Sequence, residues 1–108
     1  MKVLTVVIPA YNVEQWLEEG IKSFLTSEIL DDIEILIIDD GSKDRTPEIG
    51  KKFQSLYPNS VRLISKKNGG HGSTINKGIE LAKGKYFKVV DGDDWVETDA
   101  FAKLVKFM

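Results

Sequence analysis

A chain of 108 residues without cysteine has the length of one domain and can form neither a disulfide framework nor a thiolate metal site. Its 15 basic and 17 acidic residues leave a formal net charge of -2, so it lacks the basic field that tracks a nucleic-acid polymer, and none is expected as a partner. The opening apolar run is cut by Pro9 too early for a signal peptide or a membrane span.

Leu4 to Ile8 is β-branched and apolar on both faces, the pattern of a central parallel strand. Asn12, with Gln15 three residues on as a capping-box partner, predicts the start of a helix. Its apolar stripe would be Val13, Trp16, Leu17, Ile21, Phe24 and Leu25, with Trp16 in the core and the end near Ser27. Ile33 to Ile38 reads as a second buried strand, interrupted only by Glu34 and stopped by Asp39-Asp40-Gly41-Ser42. Thr46-Pro47-Glu48 opens a second helix with proline at its first position, and Ile49, Phe53, Leu56 and Tyr57 would form its buried face.

Pro58-Asn59 closes that helix, and Val61 to Ser65 gives a third strand. Lys66 to Gly72 is a glycine-rich loop, after which Ser73 or Thr74 could cap a helix carrying Ile75, Ile79 and Ala82 on one side. Gly84 stands where a helix-terminating glycine belongs. Tyr86 to Val90 is the fourth strand, and Thr98 would cap a last helix with Phe101, Leu104, Val105 and Met108 at helical spacing. The repeated strand-helix order predicts an α/β fold: a Rossmann-like open parallel sheet of about four strands with flanking helices.

In such a sheet ligands sit beyond the carboxyl ends of the strands. Those ends carry Pro9-Ala10-Tyr11-Asn12, Asp39-Asp40-Gly41-Ser42, the glycine loop and Asp91-Gly92-Asp93-Asp94. Three carboxylates within four residues repel one another, and a divalent cation with oxygen ligands is the simplest way to offset that repulsion. His71, the single histidine, lies in the glycine loop and is read as a donor or an exposed side chain. Trp95 fits either packing or a sugar platform.

The chain resembles the amino-terminal, nucleotide-binding half of a family 2 glycosyltransferase with the GT-A fold. The residues that carry the resemblance are Val7-Ile8-Pro9-Ala10-Tyr11-Asn12, Ile38-Asp39-Asp40-Gly41-Ser42-Lys43-Asp44, Asn68-Gly69-Gly70 with Asn76-Lys77-Gly78, and Asp91-Gly92-Asp93-Asp94-Trp95. The resemblance implies that Pro9, Ala10 and Tyr11 line the base pocket and that Asp40 accepts from the imide of a uracil. Asp39 would brace its loop. Gly69 and Gly70 would let the backbone approach the nucleotide, with Lys67 a further contact. Asp91 would meet the ribose or the metal, and Asp93 would ligate Mn2+ or Mg2+ bridging the diphosphate. Asp94 would orient the loop or the following helix.

By the same resemblance the protein would be a metal-dependent glycosyltransferase moving a sugar from a nucleotide-diphosphate donor, a UDP-sugar by preference, to a hydroxyl acceptor with inversion. Residues 1–108 would be the donor-binding domain, ending before the half that holds the acceptor and the catalytic base, and would be inactive alone. The implied setting is cytoplasmic, peripheral to the inner face of the membrane in the full-length protein, in polysaccharide synthesis. The alternative is a non-catalytic nucleotide-sugar-binding or assembly module that self-associates through the truncated sheet edge. A dehydrogenase fits less well than the transferase, because Pro9-Ala10-Tyr11-Asn12-Val13 lacks the glycines a dinucleotide pyrophosphate needs.

Overall fold

The computed structural model describes residues 2–108. Four strands alternate with four helices: β1 (Leu4–Ala10), α1 (Leu17–Phe24), β2 (Ile33–Asp39), α2 (Thr46–Leu56), β3 (Val61–Ser65), α3 (His71–Leu81), β4 (Tyr86–Val89) and α4 (Thr98–Lys106). All pairings are parallel and the order is β3-β2-β1-β4. The chain therefore winds from β1 outward to β3, then crosses back to place β4 on the other side of β1. The carboxyl end of β1 is the point where that order reverses, which is where an open α/β sheet has room for a ligand.

Residues of β1 and β2 are buried on both faces, and alternation divides them between two layers. Leu4, Val6, Ile8 and Ala10, with Ile33, Ile35 and Ile37, face a core completed by Leu17, Ile21, Phe24, Phe53, Phe101 and Val105 from α1, α2 and α4. Val7, Leu36 and Ile38 face the other way, with Ile64 and Leu81 packed against them. Here α3 is the covering helix, and Gly78 lets it lie directly on Val7: a Cβ at Gly78 would come within 2.5 Å of that side chain.

Pro9 does not end β1, which runs on to Ala10. Its carbonyl faces the β4 side and accepts from the Gly92 N–H, so the missing proline N–H breaks no bond to β2. Glu34 is buried at the opposite end of the sheet, where Oε2 accepts from Thr5 Oγ1 at 2.7 Å and from the Lys83 N–H at 2.6 Å. Thr5 Oγ1 in turn accepts from the Gly84 N–H at 2.8 Å. This network carries the chain from α3 into β4.

Several local expectations are corrected. Helix α1 starts at Leu17 rather than Asn12, because Asn12 takes φ 51, outside the extended region an N-cap uses. Trp16 is consequently exposed rather than core, and Leu56 and Ile79 also face solvent. Gly70, not Ser73 or Thr74, precedes α3; the Ser73 hydroxyl donates back to the Gly70 carbonyl. Gly84 ends no helix: α3 closes at Ala82, and Gly84 is pressed against β1, where a Cβ would lie 2.5 Å from the Thr5 nitrogen. Thr98 is the first residue of α4 rather than its cap; the Glu97 carboxylate caps it by accepting from the Asp99 and Ala100 N–H groups. Among the described residues no helix is long and apolar enough to cross a membrane.

Candidate functional site

A cavity of about 380 Å³ opens at the carboxyl ends of β1, β2 and β4. Pro9, Ala10 and Tyr11 supply one wall, Asp40 with Asn68, Gly70, His71 and Thr74 another, and Asp91, Gly92 and Asp93 the third. The four strand-end loops thus converge on one cavity.

The wall at Tyr11 is held by a staple between two loops. Asn12 donates its N–H to Ser42 Oγ at 3.0 Å, and its side-chain Oδ1 accepts from the Lys43 N–H at 2.9 Å. Val13 N–H donates to Thr46 Oγ1 and Glu14 N–H to Asp44 Oδ2. Asp44 also accepts from the Thr46 N–H. Burial would raise its carboxyl pKa, but the Thr46 hydroxyl and N–H and the Glu14 N–H outweigh that and hold it below the ordinary range. The left-handed turn at Asn12 is what lets its side chain reach across. Tyr11 is left 48% exposed at the mouth, free to meet a ligand.

Asp39 and Asp40 divide the labour at the end of β2. Asp39 points down, accepting from the Ser42 N–H at 3.0 Å and from Ser65 Oγ. Asp40 lies on the cavity floor and gathers the glycine loop: Oδ1 accepts from Lys66 Nζ at 3.0 Å and the Gly69 N–H at 2.9 Å, and Oδ2 from the Gly70 N–H at 3.0 Å. Its main-chain carbonyl accepts from Asn68 Nδ2. Burial pushes the Asp40 carboxyl up, but Gly69, the Lys66 ammonium and Gly70 together leave it below its ordinary value. A carboxylate oxygen has two lone pairs, so Oδ1 is filled while Oδ2 retains room for one more donor.

The acidic loop is fixed by its backbone and leaves its side chains in solvent. Gly92 N–H donates to the Pro9 carbonyl, Asp94 N–H to the Asp91 carbonyl, and Val96 N–H to Ser23 Oγ. Gly20 of α1 lies against this loop so closely that a Cβ there would stand 2.6 Å from the Asp94 carbonyl oxygen. Asp91, Asp93 and Asp94 are exposed, and each offers an oxygen within 4.8 Å of the others. Three hard oxygen donors at that spacing fit a divalent cation. Of the three, Asp91 and Asp93 line the cavity.

Of the residues singled out in the sequence, Pro9, Ala10, Tyr11, Asp40, Gly70, Asp91 and Asp93 line the cavity, while Gly69 and Lys67 do not. The inward lysine is Lys66, whose ammonium donates to Asp40 Oδ1, Ser73 Oγ and the Lys67 carbonyl. Nothing in Lys66-Lys67 distinguishes the two by pattern; the Asp40 carboxylate selects the one within reach. Sequence reasoning missed Thr74, buried against the cavity, and the pairing of His71 with Asp91. Trp95 stands outside, 66% exposed, beside a second cleft with Glu19, Lys22, Ser23 and Thr98.

The same architecture recurs in known proteins. The uncharacterized glycosyltransferase EpsJ of Bacillus subtilis (strain 168) is 40% identical over 103 residues, covering 95% of this chain and 29% of EpsJ. Chondroitin synthase of Pasteurella multocida (strain Pm70) is 37% identical over 103 residues, 95% of this chain and 10% of the synthase. The crystal structure of S. aureus TarS 1-349 in complex with UDP-GlcNAc superimposes with a TM-score of 0.82 at 27% identity, covering 99% of this chain and 31% of TarS 1-349. The mannosyltransferase PcManGT from Pyrobaculum calidifontis, solved with GDP-Man and Mn2+, gives 0.75 at 24% identity over 95% of this chain, a likeness of fold. The chain spans under a third of the length of each of these proteins. The sheet order and its flanking helices are those of the amino-terminal half of the GT-A fold. The family model for Glycosyl transferase family 2 matches residues 5–108, and the chain belongs to that family.

Proposed function

We propose that these residues form the donor-binding half of a glycosyltransferase that uses a nucleotide-diphosphate sugar, a UDP-sugar by preference, with Mn2+ or Mg2+. One observation carries this reading: Asp40 with its one open acceptor position and the Asp91–Asp93 pair line a single cavity. A cavity with both suits a ligand that carries a hydrogen-bond donor and a polyanion. The complex of TarS with UDP-GlcNAc supports the choice of nucleotide.

Pro9, Ala10 and Tyr11 would hold the base, Asp40 Oδ2 would accept from its imide, and the bare backbone at Gly70 would pass along the ribose and phosphates. Asp91 and Asp93 would hold the cation. When bound, a divalent cation neutralises the diphosphate and stabilises it as a leaving group. Lys67, which does not line the cavity, would be a more peripheral contact. By the family resemblance, the base for the acceptor hydroxyl would come from chain beyond this domain. Calorimetry of UDP with Mn2+ tests the reading. Binding that disappears with excess EDTA is expected, and no binding at millimolar UDP with the fold intact refutes it.

A second reading, an assembly module, is favoured by β4, whose outer edge has no strand partner among the described residues and whose Tyr86 and Phe87 are 43% and 40% exposed. Light scattering separates the two, because a monomer at high concentration removes it.

A further inference from the structure

The cavity contains one polar contact that the donor-site assignment leaves unused. His71 Nε2 lies 2.7 Å from Asp91 Oδ1, joining the first residue of α3 to the loop after β4. An ionised carboxylate only accepts, so the proton of this bond sits on Nε2. The histidine ring is 61% exposed and the Asp91 side chain 50%, so packing does not fix either. The backbone around the ring is bare as well: a Cβ at Gly70 or Gly72 would meet nothing within 4 Å.

We propose that His71 is a positioning residue for Asp91, an inference that rests on the donor-site reading. The torsion that turns a carboxylate about its Cβ–Cγ bond is broad and roughly two-fold. An exposed Asp91 would therefore sample many orientations, and binding a cation would mean ordering it. The Nε2–H donor holds Oδ1, leaving Oδ2 for the cation or the ribose. It also draws negative charge from one of three mutually repelling carboxylates. Among the described residues, the Asp93 and Asp94 side chains accept no such bond, so the histidine singles out one acid of the three. Because the bond spans two loops, it also fixes the α3 end of the cavity relative to the acidic loop.

The test compares the wild-type chain with His71→Ala and His71→Gln, since the amide nitrogen of glutamine reaches a position close to Nε2 and restores a neutral donor. Manganese affinity is read by electron paramagnetic resonance and UDP affinity by calorimetry, with circular dichroism verifying the fold. Loss of a hydrogen-bonding partner behind a metal-binding carboxylate weakens metal affinity by about 10- to 100-fold, and that loss is expected for His71→Ala. His71→Gln should recover to within about three-fold of wild type, as a donor role requires. Wild-type affinity in His71→Ala, or equal loss in both variants with the fold intact, overturns the inference alone. Failure of the wild-type chain to bind Mn2+ overturns it together with the donor-site reading.

Discussion

Replacing Asp40 with asparagine changes one oxygen to an amide nitrogen and removes a charge, and the structure sets the cost. Oδ1 holds Lys66 and Gly69 while Oδ2 holds Gly70, so an Asn carbonyl can satisfy only one side. Its NH2 then opposes an N–H donor or the Lys66 ammonium. A hydrogen bond to a charged group contributes about 1.5 to 3 kcal/mol, and breaking a buried ion pair costs about 3 to 5. Lys66 keeps its bonds to Ser73 and the Lys67 carbonyl and is 21% exposed, so the cost falls low in that range, at about 2 to 3 kcal/mol. For a domain of this size that lowers the melting temperature by roughly 10 to 20 °C.

The pH dependence adds a sharper test. The Asp40 carboxyl is depressed below its ordinary 3.8 in the fold. Its contribution is therefore complete above that value and is lost as pH falls through the lower folded value. Urea unfolding of wild type and Asp40→Asn should show a gap that is constant from about pH 7 to pH 5 and narrows below about pH 4. A gap under about 1 kcal/mol at neutral pH, or one that stays constant in acid, would refute the assignment of Asp40 as the ionic clasp of the glycine loop.

Gly20→Ala forces the Asp94 carbonyl away from α1, and the overpacking cost of about 1 to 3 kcal/mol exceeds the gain of up to about 1 from removing a helical glycine. A net fall in melting temperature is expected, accompanied by weaker Mn2+ binding. Glu34→Ala leaves Thr5 and the Lys83 N–H without their acceptor, at about 2 kcal/mol, and faster amide exchange at Tyr86 by mass spectrometry would report the loosened strand entry. Asp93→Asn should abolish Mn2+ binding while leaving thermal stability within about 0.5 kcal/mol, since the side chain is exposed. A large stability loss there would mean that the acid has a structural role instead.

The sheet was legible because β1 and β2 are buried on both faces, which leaves a signal of continuous apolar residues that loops and amphipathic helices do not share. The position of the site followed from topology, since a parallel sheet brings every strand end to the same rim. Helix boundaries and faces were less legible. Asn12 has the side chain of a cap, yet its dihedral was decided by Ser42 and Lys43, thirty residues downstream. Gly84 reads as a helix terminator until β1 is placed against it. Trp16 fits an apolar stripe by spacing but lies ahead of α1, and Leu56 and Ile79 fit the stripes of α2 and α3 yet face solvent. The choice of Lys66 over Lys67, and the meeting of His71 with Asp91, depend on contacts between loops that no local period encodes.

The order of strands has a consequence for how the domain assembles. Leu4 pairs with Ile33 on one side and with Tyr86 on the other, so one edge of β1 closes early while its other edge waits for nearly the whole chain. Bringing distant segments together is the slow entropic step in folding. The carboxylates sit just past β4, so the proposed cation site should form last, after the proposed base-binding side. Pulse-labelled exchange during refolding should then show protection of β1 through β3 before protection of β4.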